Sequence, residues 1–431
     1  MSAPKIKIIT LGCSKNLVDS RAVAARLRAA GYQAVPEGYA RHVDATVINT
    51  CGFIGDAKEE SIDCILAQCA RRRRGPVYVM GCLSQRYRDV LPAEIPEVDR
   101  WFGKFDWDAI PAALAADGIA PAPAAVPEPK RTPGHFTYVK IAEGCNRFCA
   151  FCAIPLITGR YHSRTVEDIA AEVRDAVARG CRELNVIAQD LSAYGTDIYG
   201  RSALARLLET LADIPGVDRI RLHYAYPADF PYDILPVMAS RPNICKYLDI
   251  ALQHIDDTVL RNMRRHIDAD ETRRLLARLR AEVPGIHIRT TLMVGFPGES
   301  EEAFGRLLDF VREQRFDRMG AFAYCEEDDT YAALHLPDEI PAEVKQARLD
   351  RLMAVQQEIA AELNEAKVGA TLPVIIDREE EDCYVGRTEF DSPEVDPEVF
   401  VSKSRKLKAG EIVPVKITGA MPFELIGEPV S

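Results

Sequence analysis

The first hundred residues alternate short apolar runs with longer amphipathic stretches. Apolar runs of the strand type occur at Ile6–Thr10, Ala45–Asn49 and Val77–Met80. The stretch between the first two is rich in Ala, Arg and Leu and ends at Gly31, which is typical of a helix closed by glycine. Because strands that alternate with helices form parallel sheets, the pattern predicts a doubly wound α/β domain over residues 1–116.

The alternation stops at residues 117–134. This segment is rich in alanine and contains five prolines, which are Pro121, Pro123, Pro127, Pro129 and Pro133. Proline favours extended backbone, so we interpret the segment as a semi-extended linker between domains.

Strand-like runs return between residues 135 and 366. Six of them are found, at Phe136–Ala142, Glu183–Ala188, Arg219–Tyr224, Lys246–Ile250, Ile286–Val294 and Met319–Tyr324. Helical stretches separate the runs, which predicts an incomplete (βα)6 barrel with its site at the carboxyl ends of the strands. A long helix is predicted over Pro341–Ala366, with Pro341 in its first turn.

The pattern changes again after residue 366. Five short β-like runs follow, at Thr371–Ile376, Tyr384–Thr388, Val399–Ser402, Ile412–Thr418 and Phe423–Ile426. Turns separate these runs. They predict a small all-β barrel or sandwich over residues 367–431.

Composition and charge narrow the classes of function. The 431 residues are 47% hydrophobic and 28% charged, as in ordinary globular proteins. No apolar run reaches the length of about 18 residues that a membrane span needs, and Met1–Lys7 lacks the apolar core of a signal peptide. We therefore predict a cytoplasmic protein without a membrane partner. The net charge of −11 argues against DNA and favours a basic partner.

Three cysteines fall within eight residues just after the first strand of the predicted barrel. Twelve cysteines in all are many for a reducing compartment, where a spaced set is more often a set of metal ligands than of disulfides. Cys145, Cys149 and Cys152 can give thiolates to three irons of a four-iron cluster and leave the fourth iron open. The alternatives are a structural zinc site, with His162 as the nearby fourth ligand, and a chance grouping of cysteines.

A second set of cysteines follows the strands of the first domain. Cys13, Cys51 and Cys82 each come just after a predicted strand, and each has a neighbouring glycine. The carboxyl ends of parallel strands face one crevice, so we expect the three thiols to converge. Such a set can hold a second cluster. The alternative is that the three are small buried core residues.

The segments around both sets resemble the methylthiotransferase family of the radical S-adenosylmethionine (SAM) superfamily. The similar segments are Leu11–Asn16, Asn49–Cys51, Glu143–Asn146, Cys149–Pro155 and Gly295–Glu299. The resemblance implies an amino-terminal methylthiotransferase domain, a radical SAM domain and a carboxyl-terminal TRAM domain. It also implies that each cysteine set holds a [4Fe–4S] cluster and that SAM is a cofactor.

Other segments resemble the branch of the family that modifies a ribosomal protein. These are Ser14–Ser20, Tyr247–Ile250 with Gln253–His254, and Asp391–Asp396, whereas Ala251, Asp329 and Pro397 depart from that branch. The implied substrate is an aspartate of small-subunit ribosomal protein S-twelve, whose β-carbon exchanges a hydrogen for a methylthio group. The implied chemistry moves a methyl group from one SAM to a sulfur on the first cluster. It cleaves a second SAM to a radical, with electrons from a donor such as flavodoxin or ferredoxin.

Contacts to SAM are predicted at a few positions, and no catalytic residue is indicated beyond the cluster ligands. We predict contacts from Phe151, Arg160, Ser163 and Gln189, although Arg160 and Gln189 also fit solvated loop positions. A backbone approach to the cofactor is predicted at Gly295 and Gly298, with turn glycines as the alternative.

The charge of the carboxyl-terminal domain bears on the choice of substrate. Residues 369–431 hold thirteen acidic and seven basic side chains, with an acidic stretch at Glu379, Glu380, Glu381 and Asp382. This favours contact with a basic ribosomal protein, although the stretch also fits a solvated hairpin tip.

A tRNA methylthiotransferase acting on a modified adenosine is the runner-up, and a noncatalytic iron–sulfur sensor or RNA-binding protein is a third hypothesis. The run Arg71–Arg74 fits a solvated helix end better than a nucleic-acid site.

Overall fold

The computed structural model describes residues 2–39, 42–71, 75–127 and 134–430, which form two compact units. The first unit comprises the described residues up to 127 together with Gly144–Asn146 and Cys152–Arg160, and the second comprises the others. Most of the basic run Arg71–Arg74 and the end of the predicted linker lie outside the described residues. Within the described ranges, no helix is long and apolar enough to cross a membrane.

The first unit contains a five-stranded parallel sheet in the order β2-β1-β3-β4-β5. Its strands are β1 (Lys5–Thr10), β2 (Gln33–Pro36), β3 (Ala45–Thr50), β4 (Val77–Gly81) and β5 (Arg100–Trp101), and its first helices are α1 (Ser14–Ala29), α2 (Gly55–Arg71), α3 (Cys82–Arg86), α4 (Leu91–Glu94) and α5 (Ala109–Ala116). Val23 and Ile110 belong to one apolar cluster on the sheet, and Ile65 and Leu83 to another. Both faces are covered, which confirms the doubly wound parallel sheet. The edge strands β2 and β5 were not predicted because they are too short to show an apolar run.

Six strands of the second unit form one parallel sheet in the order β13-β12-β11-β10-β9-β6. The strands of this region are β6 (Phe136–Lys140), β7 (Ala142–Glu143), β8 (His162–Ser163), β9 (Glu183–Ile187), β10 (Arg219–Ala225), β11 (Ile244–Gln253), β12 (His287–Val294) and β13 (Arg318–Ala323). The sheet is open between β6 and β13, which confirms the incomplete (βα)6 barrel. The predicted first strand ends early at Lys140, because β7 leaves the sheet and pairs with β8.

Helices follow the barrel strands, as the alternation predicts. They are α6 (Ile154–Thr158), α7 (Val166–Ala178), α8 (Thr196–Tyr199), α9 (Leu204–Ala212), α10 (Ile234–Ser240), α11 (Asp257–Asn262), α12 (Ala269–Glu282), α13 (Glu301–Gln314), α14 (Tyr331–His335) and α15 (Ala342–Glu365). Helix α7 begins after Thr165, whose side chain accepts a hydrogen bond from the Asp168 amide, and it buries Ile169 and Val173. Helix α15 begins one residue later than predicted, because Pro341 is extended (ψ 147°) and acts as the N-cap.

The carboxyl-terminal strands close into a small barrel, which decides between the barrel and the sandwich predicted from the sequence. They are β14 (Thr371–Glu379), β15 (Cys383–Arg387), β16 (Val399–Ser402), β17 (Ile412–Ala420) and β18 (Leu425–Pro429), in the order β14-β15-β16-β18-β17. Alternate residues of β17, namely Val413, Val415 and Ile417, are buried in the barrel core.

The segment between β15 and β16 packs against the amino-terminal halves of the central strands. Asp391 pairs with Arg318 on β13 at 2.6 Å, and Asp396 accepts a hydrogen bond of 2.7 Å from Tyr247 on β11. The contacts fall within Asp391–Asp396, one of the segments in the family resemblance. They fix the carboxyl-terminal barrel at the end of the sheet opposite to the carboxyl ends of its strands.

Buried ion pairs accompany this packing. Glu183 at the start of β9 is fully buried and accepts hydrogen bonds of 2.9 and 3.0 Å from the Arg387 guanidinium. Burial by itself raises the pKa of Glu183, but the charges of Arg387 and Arg221 outweigh it and hold that pKa well below its ordinary value. In the same way, Arg318 outweighs burial and lowers the pKa of Asp391.

These lowered pKa values predict how stability depends on pH. A carboxylate with a lowered pKa contributes stability above its unfolded pKa of about 4 and loses that contribution as the pH falls below it. We expect the melting temperature to fall between about pH 4 and pH 2, and to fall less steeply in Asp391→Asn, which has one titrating carboxylate fewer. Thermal unfolding followed by circular dichroism at several pH values measures both slopes. If the melting temperatures of the parent and of Asp391→Asn fall equally steeply with pH, the lowered pKa assigned to Asp391 is contradicted.

Candidate functional site

Three cysteines of the first unit follow neighbouring strands of its sheet. Cys13 follows β1, Cys51 follows β3 and Cys82 follows β4. A side chain at Gly12 would come within 2.7 Å of the Cys51 Cβ, so the turn before Cys13 lies against Cys51. A side chain at Gly52 would come within 2.9 Å of the Cys82 carbonyl carbon. The turns that carry the three cysteines thus converge, as predicted, at the carboxyl ends of the strands. Glycines in these turns permit the close approach.

Asn16 connects the turns that carry these cysteines. Its amide nitrogen donates to the carbonyl oxygens of Leu11 (2.9 Å) and Thr50 (3.1 Å), and its Oδ1 lies 3.6 Å from the Cys82 Sγ. Asn16 is fully buried. The sequence placed Asn16 inside a family motif but did not indicate this role.

Burial disfavours the thiolate forms of Cys51 and Cys82. Burial raises the pKa of Cys82 to about 12, against the opposing effect of the Lys104 ammonium. Burial also raises the pKa of Cys51, and the neighbouring Cys13 adds to that increase. Lys104 is itself buried and pairs with Asp19 at 2.5 Å. A bound metal removes the protons of such thiols, so metal binding and deprotonation are coupled here.

The arrangement of side chains bears on the kind of metal. Among the described residues, no group of three or more His, Cys, Asp or Glu side chains surrounds a point where one metal ion would sit. Structural zinc needs four ligands around such a point. In a four-iron cluster each thiolate binds a different iron, so the sulfurs lie farther apart. Zinc and a four-iron cluster therefore differ in the separation of the sulfurs that they require.

The second cysteine set lies in the loop between β7 and α6. Gly144 has a φ of +80°, and a side chain there would lie 2.1 Å from the Arg160 carbonyl oxygen. The Cys145 amide donates to the Gly159 carbonyl at 3.2 Å. Within the loop, Phe148 also adopts a left-handed conformation, with a φ of +50°. The loop conformation therefore depends on glycine and on close backbone packing.

Cys149 has a distinctive polar environment that the sequence did not indicate. The Arg265 guanidinium donates a hydrogen bond of 3.3 Å to the Cys149 Sγ and another to the Ala251 carbonyl. The Tyr226 hydroxyl lies 3.8 Å from the same sulfur. Arg265 lies 116 positions from Cys149 in the chain, so no local motif links the two.

Two of the predicted SAM contacts, Gln189 and Ser163, differ in whether their polar atoms already have hydrogen-bond partners within the protein. Gln189 donates from Nε2 to Glu143, but its Oε1 is buried without a hydrogen-bond partner among the described residues. The Ser163 hydroxyl donates to Asp197 at 2.6 Å and accepts from the Gly195 amide at 3.0 Å. Gln189 therefore has an acceptor available for a ligand, whereas Ser163 is engaged in the local fold.

The other two predicted side-chain contacts occupy different environments. Phe151 is half-buried, and its ring packs edge-on against Phe296, with 6.2 Å between the ring centroids. Arg160 is exposed at the end of the loop that follows α6. Both positions remain predictions as SAM contacts.

The Gly295–Glu299 turn follows β12 and is held from inside the protein. Gly295 and Gly298 have φ values of +73° and +87°, so both serve as turn glycines. The fully buried Glu299 accepts hydrogen bonds from the Gly295 amide and from Arg348 (2.8 Å), and it lies 3.1 Å from the His254 ring. The Glu299 carboxylate therefore fixes the backbone of the turn. A backbone approach of Gly295 to SAM remains a prediction.

Asp329 is a departure from the family pattern that the backbone accommodates. It stands where the resemblance leads us to expect glycine, and its φ is +59°. Asp tolerates the left-handed conformation better than most residues, so the loop keeps that shape.

Family models and solved structures define the class of this protein. The models match residues 5–103 (Uncharacterized protein family UPF0004), 139–311 (Radical SAM superfamily) and 368–430 (TRAM domain). The fold is shared with the radical S-adenosylmethionine methyltransferase TsrM from Kitasatospora setae, which covers 75% of this chain and 72% of its own at 14% identity and a TM-score of 0.55. The protein is a radical SAM enzyme with a TRAM domain.

Curated relatives identify the branch. The chain is 54% identical to "Ribosomal protein uS12 methylthiotransferase RimO" of Parabacteroides distasonis, over 99% of both chains. It is 53% identical to the protein of the same name from Bacteroides thetaiotaomicron, over 99% of this chain and 98% of that protein. This chain therefore belongs to the RimO family of radical SAM methylthiotransferases, whose cofactors are [4Fe–4S] clusters and SAM. The family resemblance is confirmed, and neither the tRNA branch nor a noncatalytic sensor is favoured.

Proposed function

We propose that this protein replaces a hydrogen on the β-carbon of an aspartate in ribosomal protein uS12 (protein S-twelve) with a methylthio group. The observation that carries the proposal is the full-length similarity to relatives named for uS12 methylthiolation. An unactivated carbon has no acidic proton, so a general base cannot start this reaction. The bound clusters and SAM supply the radical chemistry and the methylthio group.

The cysteines divide between two clusters in this proposal. Cys13, Cys51 and Cys82 hold one cluster at the carboxyl-terminal edge of the amino-terminal sheet, where Gly12 and Gly52 let the turns that carry them approach closely. The loop cysteines Cys145, Cys149 and Cys152 hold the other, at which SAM is cleaved. Three ligands per cluster leave one iron of each open to SAM or to sulfur.

SAM is held by residues around the second cluster. We assign Gln189 as a cofactor ligand because its buried Oε1 lacks a donor in the described part of the chain. Phe151 and Gly295 contribute packing and backbone contacts, and Arg160 contributes a charge. Ser163 acts indirectly, through its hydrogen bonds to Asp197 and Gly195.

A direct test compares the two substrate classes. Anaerobically reconstituted protein, with SAM and flavodoxin or ferredoxin as the proposed electron donor, is incubated with uS12 or with tRNA that carries the modified adenosine. We expect mass spectrometry to find a methylthio group on an aspartate of uS12 and none on the tRNA. Modified tRNA with unmodified uS12 would overturn the proposal. Because the substrate belongs to the ribosome, we place the reaction in the cytoplasm.

The acidic hairpin tip between β14 and β15 is the proposed contact for uS12. All four acidic residues of the tip are exposed. Glu379 pairs with Lys403 at 3.0 Å and Glu380 with Arg378 at 2.8 Å. Within the described part of the chain, the carboxylates of Glu381 and Asp382 make no ion pair, so these two carry the uncompensated charge.

Reversing that charge is expected to weaken binding of the basic substrate. The double variant Glu381→Lys/Asp382→Lys should lower uS12 affinity about tenfold at low salt, because opposite charges across an interface attract over distance. The difference should shrink at physiological salt, where charges are screened beyond about 8 Å. Titration calorimetry at two salt concentrations measures both effects.

A matched control separates the effect of the hairpin tip on binding from the effect of the protein's net charge. Glu209→Lys/Glu358→Lys makes the same change in net charge at exposed helical positions. We expect this control to bind uS12 nearly as tightly as the parent protein. Equal affinities of the two double variants at low salt would exclude a specific role for the hairpin tip.

A further inference from the structure

Arg265 is a buried cation that forms no ion pair with a carboxylate of the described residues, although the Asp190 carboxylate acts on it from farther away. Its relative exposure is 3%. Among the described residues, no carboxylate lies within ion-pair distance of its guanidinium, and its Nε has no hydrogen-bond partner. The guanidinium contacts the Cys149 Sγ at 3.3 Å, the Ala251 carbonyl and the face of the Tyr226 ring, with Cζ 4.1 Å from the ring centroid.

Arg147 shows that the same region supplies carboxylates to another arginine. Its guanidinium lies 4.2 Å from the centroid of the same Tyr226 ring. Unlike Arg265, it pairs with Asp190 at 2.6 Å and with Asp229 at 2.8 Å. Burying a guanidinium without an anion is costly. Among the described residues, the group that can balance the Arg265 charge by direct contact is the hydrogen-bonded Cys149 sulfur, which becomes anionic when it ligates iron.

The backbone around Arg265 holds its side chain in this position. The Arg265 carbonyl accepts a hydrogen bond of 2.8 Å from the Tyr226 hydroxyl. The flanking residues Arg264 and His266 have φ values of +57° and +54°, so the turn is tightly constrained. These contacts orient the guanidinium toward the Cys149 sulfur, which favours a fixed hydrogen bond between them.

We infer that Arg265 is a positioning residue that donates an N–H···S hydrogen bond to the cluster ligand Cys149 and raises the reduction potential of that cluster. Hydrogen bonds to the sulfurs and nearby positive charge stabilise the more negative, reduced form of an iron–sulfur cluster. The inference rests on the proposed function, in which Cys149 is a ligand. Arg265 thereby widens the range of donors that can reduce the cluster.

The test measures the midpoint potential of this cluster alone. In the full-length Cys13→Ala/Cys51→Ala/Cys82→Ala protein only the cluster of the loop cysteines remains, and its potential is followed by electron paramagnetic resonance during reductive titration. Arg265→Gln removes the charge, Arg265→Lys keeps the charge without the planar guanidinium, and Tyr226→Phe removes only the hydroxyl. Arg264→Gln is the matched control, because the neighbouring Arg264 is exposed.

We expect the midpoint potential to become more negative in Arg265→Gln, to shift less in Arg265→Lys and Tyr226→Phe, and to stay unchanged in Arg264→Gln. Iron content, measured in parallel, shows that each variant holds its cluster. If Arg265→Gln does not retain iron, the midpoint potentials of Arg265→Lys and Arg264→Gln are compared instead, and a difference between them supports the inference. Unchanged potentials in both Arg265 variants would overturn the inference, as would a change confined to SAM affinity, which would assign Arg265 to the cofactor. A parent without iron would contradict the proposed function instead.

Discussion

Cys13→Ala is expected to keep cleaving SAM while losing methylthio transfer, and Cys149→Ala is expected to lose SAM cleavage itself. The reason is that the two cysteine sets are separate: Cys13 shares a sheet edge with Cys51 and Cys82, whereas Cys149 lies in the loop after β7. Loss of a residue that only hydrogen-bonds to a metal ligand already costs about 10- to 100-fold in metal affinity or activity. Loss of a ligand itself should therefore lower the corresponding activity at least ~100-fold.

Two assays on the same preparations separate the half-reactions. Formation of 5′-deoxyadenosine reports cleavage, and mass spectrometry of uS12 reports transfer. Cys383→Ala is the matched control, because Cys383 lies at the start of β15 in the carboxyl-terminal barrel, and it should retain both activities. A Cys13→Ala enzyme that still modifies uS12 would refute the division between the clusters.

Arg387→Met is expected to destabilise the second unit by about 3–5 kcal/mol, because it leaves the fully buried Glu183 without its main counter-charge. The double variant Glu183→Gln/Arg387→Met should recover part of this loss, since it buries no lone charge. Arg378→Met is the control: Arg378 is on β14, and its pairs with Glu380 and Glu398 are exposed, so its loss should cost at most about 1 kcal/mol.

Urea denaturation followed by far-ultraviolet circular dichroism gives the free energies of unfolding. Both tryptophans of the chain, Trp101 and Trp107, belong to the first unit. Their fluorescence should therefore change less than the dichroism signal. An Arg387→Met protein no less stable than Arg378→Met would show that the buried pair does not stabilise the fold.

The two cysteine sets could be proposed from the sequence because their spacing is local or follows the strand pattern, and their role as cluster ligands remains a prediction. Cys145, Cys149 and Cys152 share one loop, and Cys13, Cys51 and Cys82 could be placed from the ends of apolar strands. Two-residue and four-residue edge strands such as β5 and β2 were missed, since so short a run carries little pattern. The exact end of β6 was missed because Ile141 continues the apolar run, although the chain leaves the sheet there.

Contacts between residues that are far apart in the chain could not be predicted from the sequence. Arg387 and Glu183 are separated by 204 positions and come together only once the small barrel packs on the central sheet. The role of Arg265 depends on its contact with the Cys149 sulfur, 116 positions away in the chain, which composition and spacing do not reveal. Likewise, the acidic tip appeared uniformly negative until Lys403 and Arg378 were found beside two of its four carboxylates.

Iron content, measured together with Mössbauer spectra, tests the central claim of two separate clusters most directly. The reconstituted protein should hold about eight irons per chain, in two four-iron clusters. Cys13→Ala/Cys51→Ala/Cys82→Ala and Cys145→Ala/Cys149→Ala/Cys152→Ala should each hold about four, with the spectrum of one intact [4Fe–4S] cluster. If either triple variant loses all of its iron, or none of it, the assignment of two independent clusters is contradicted.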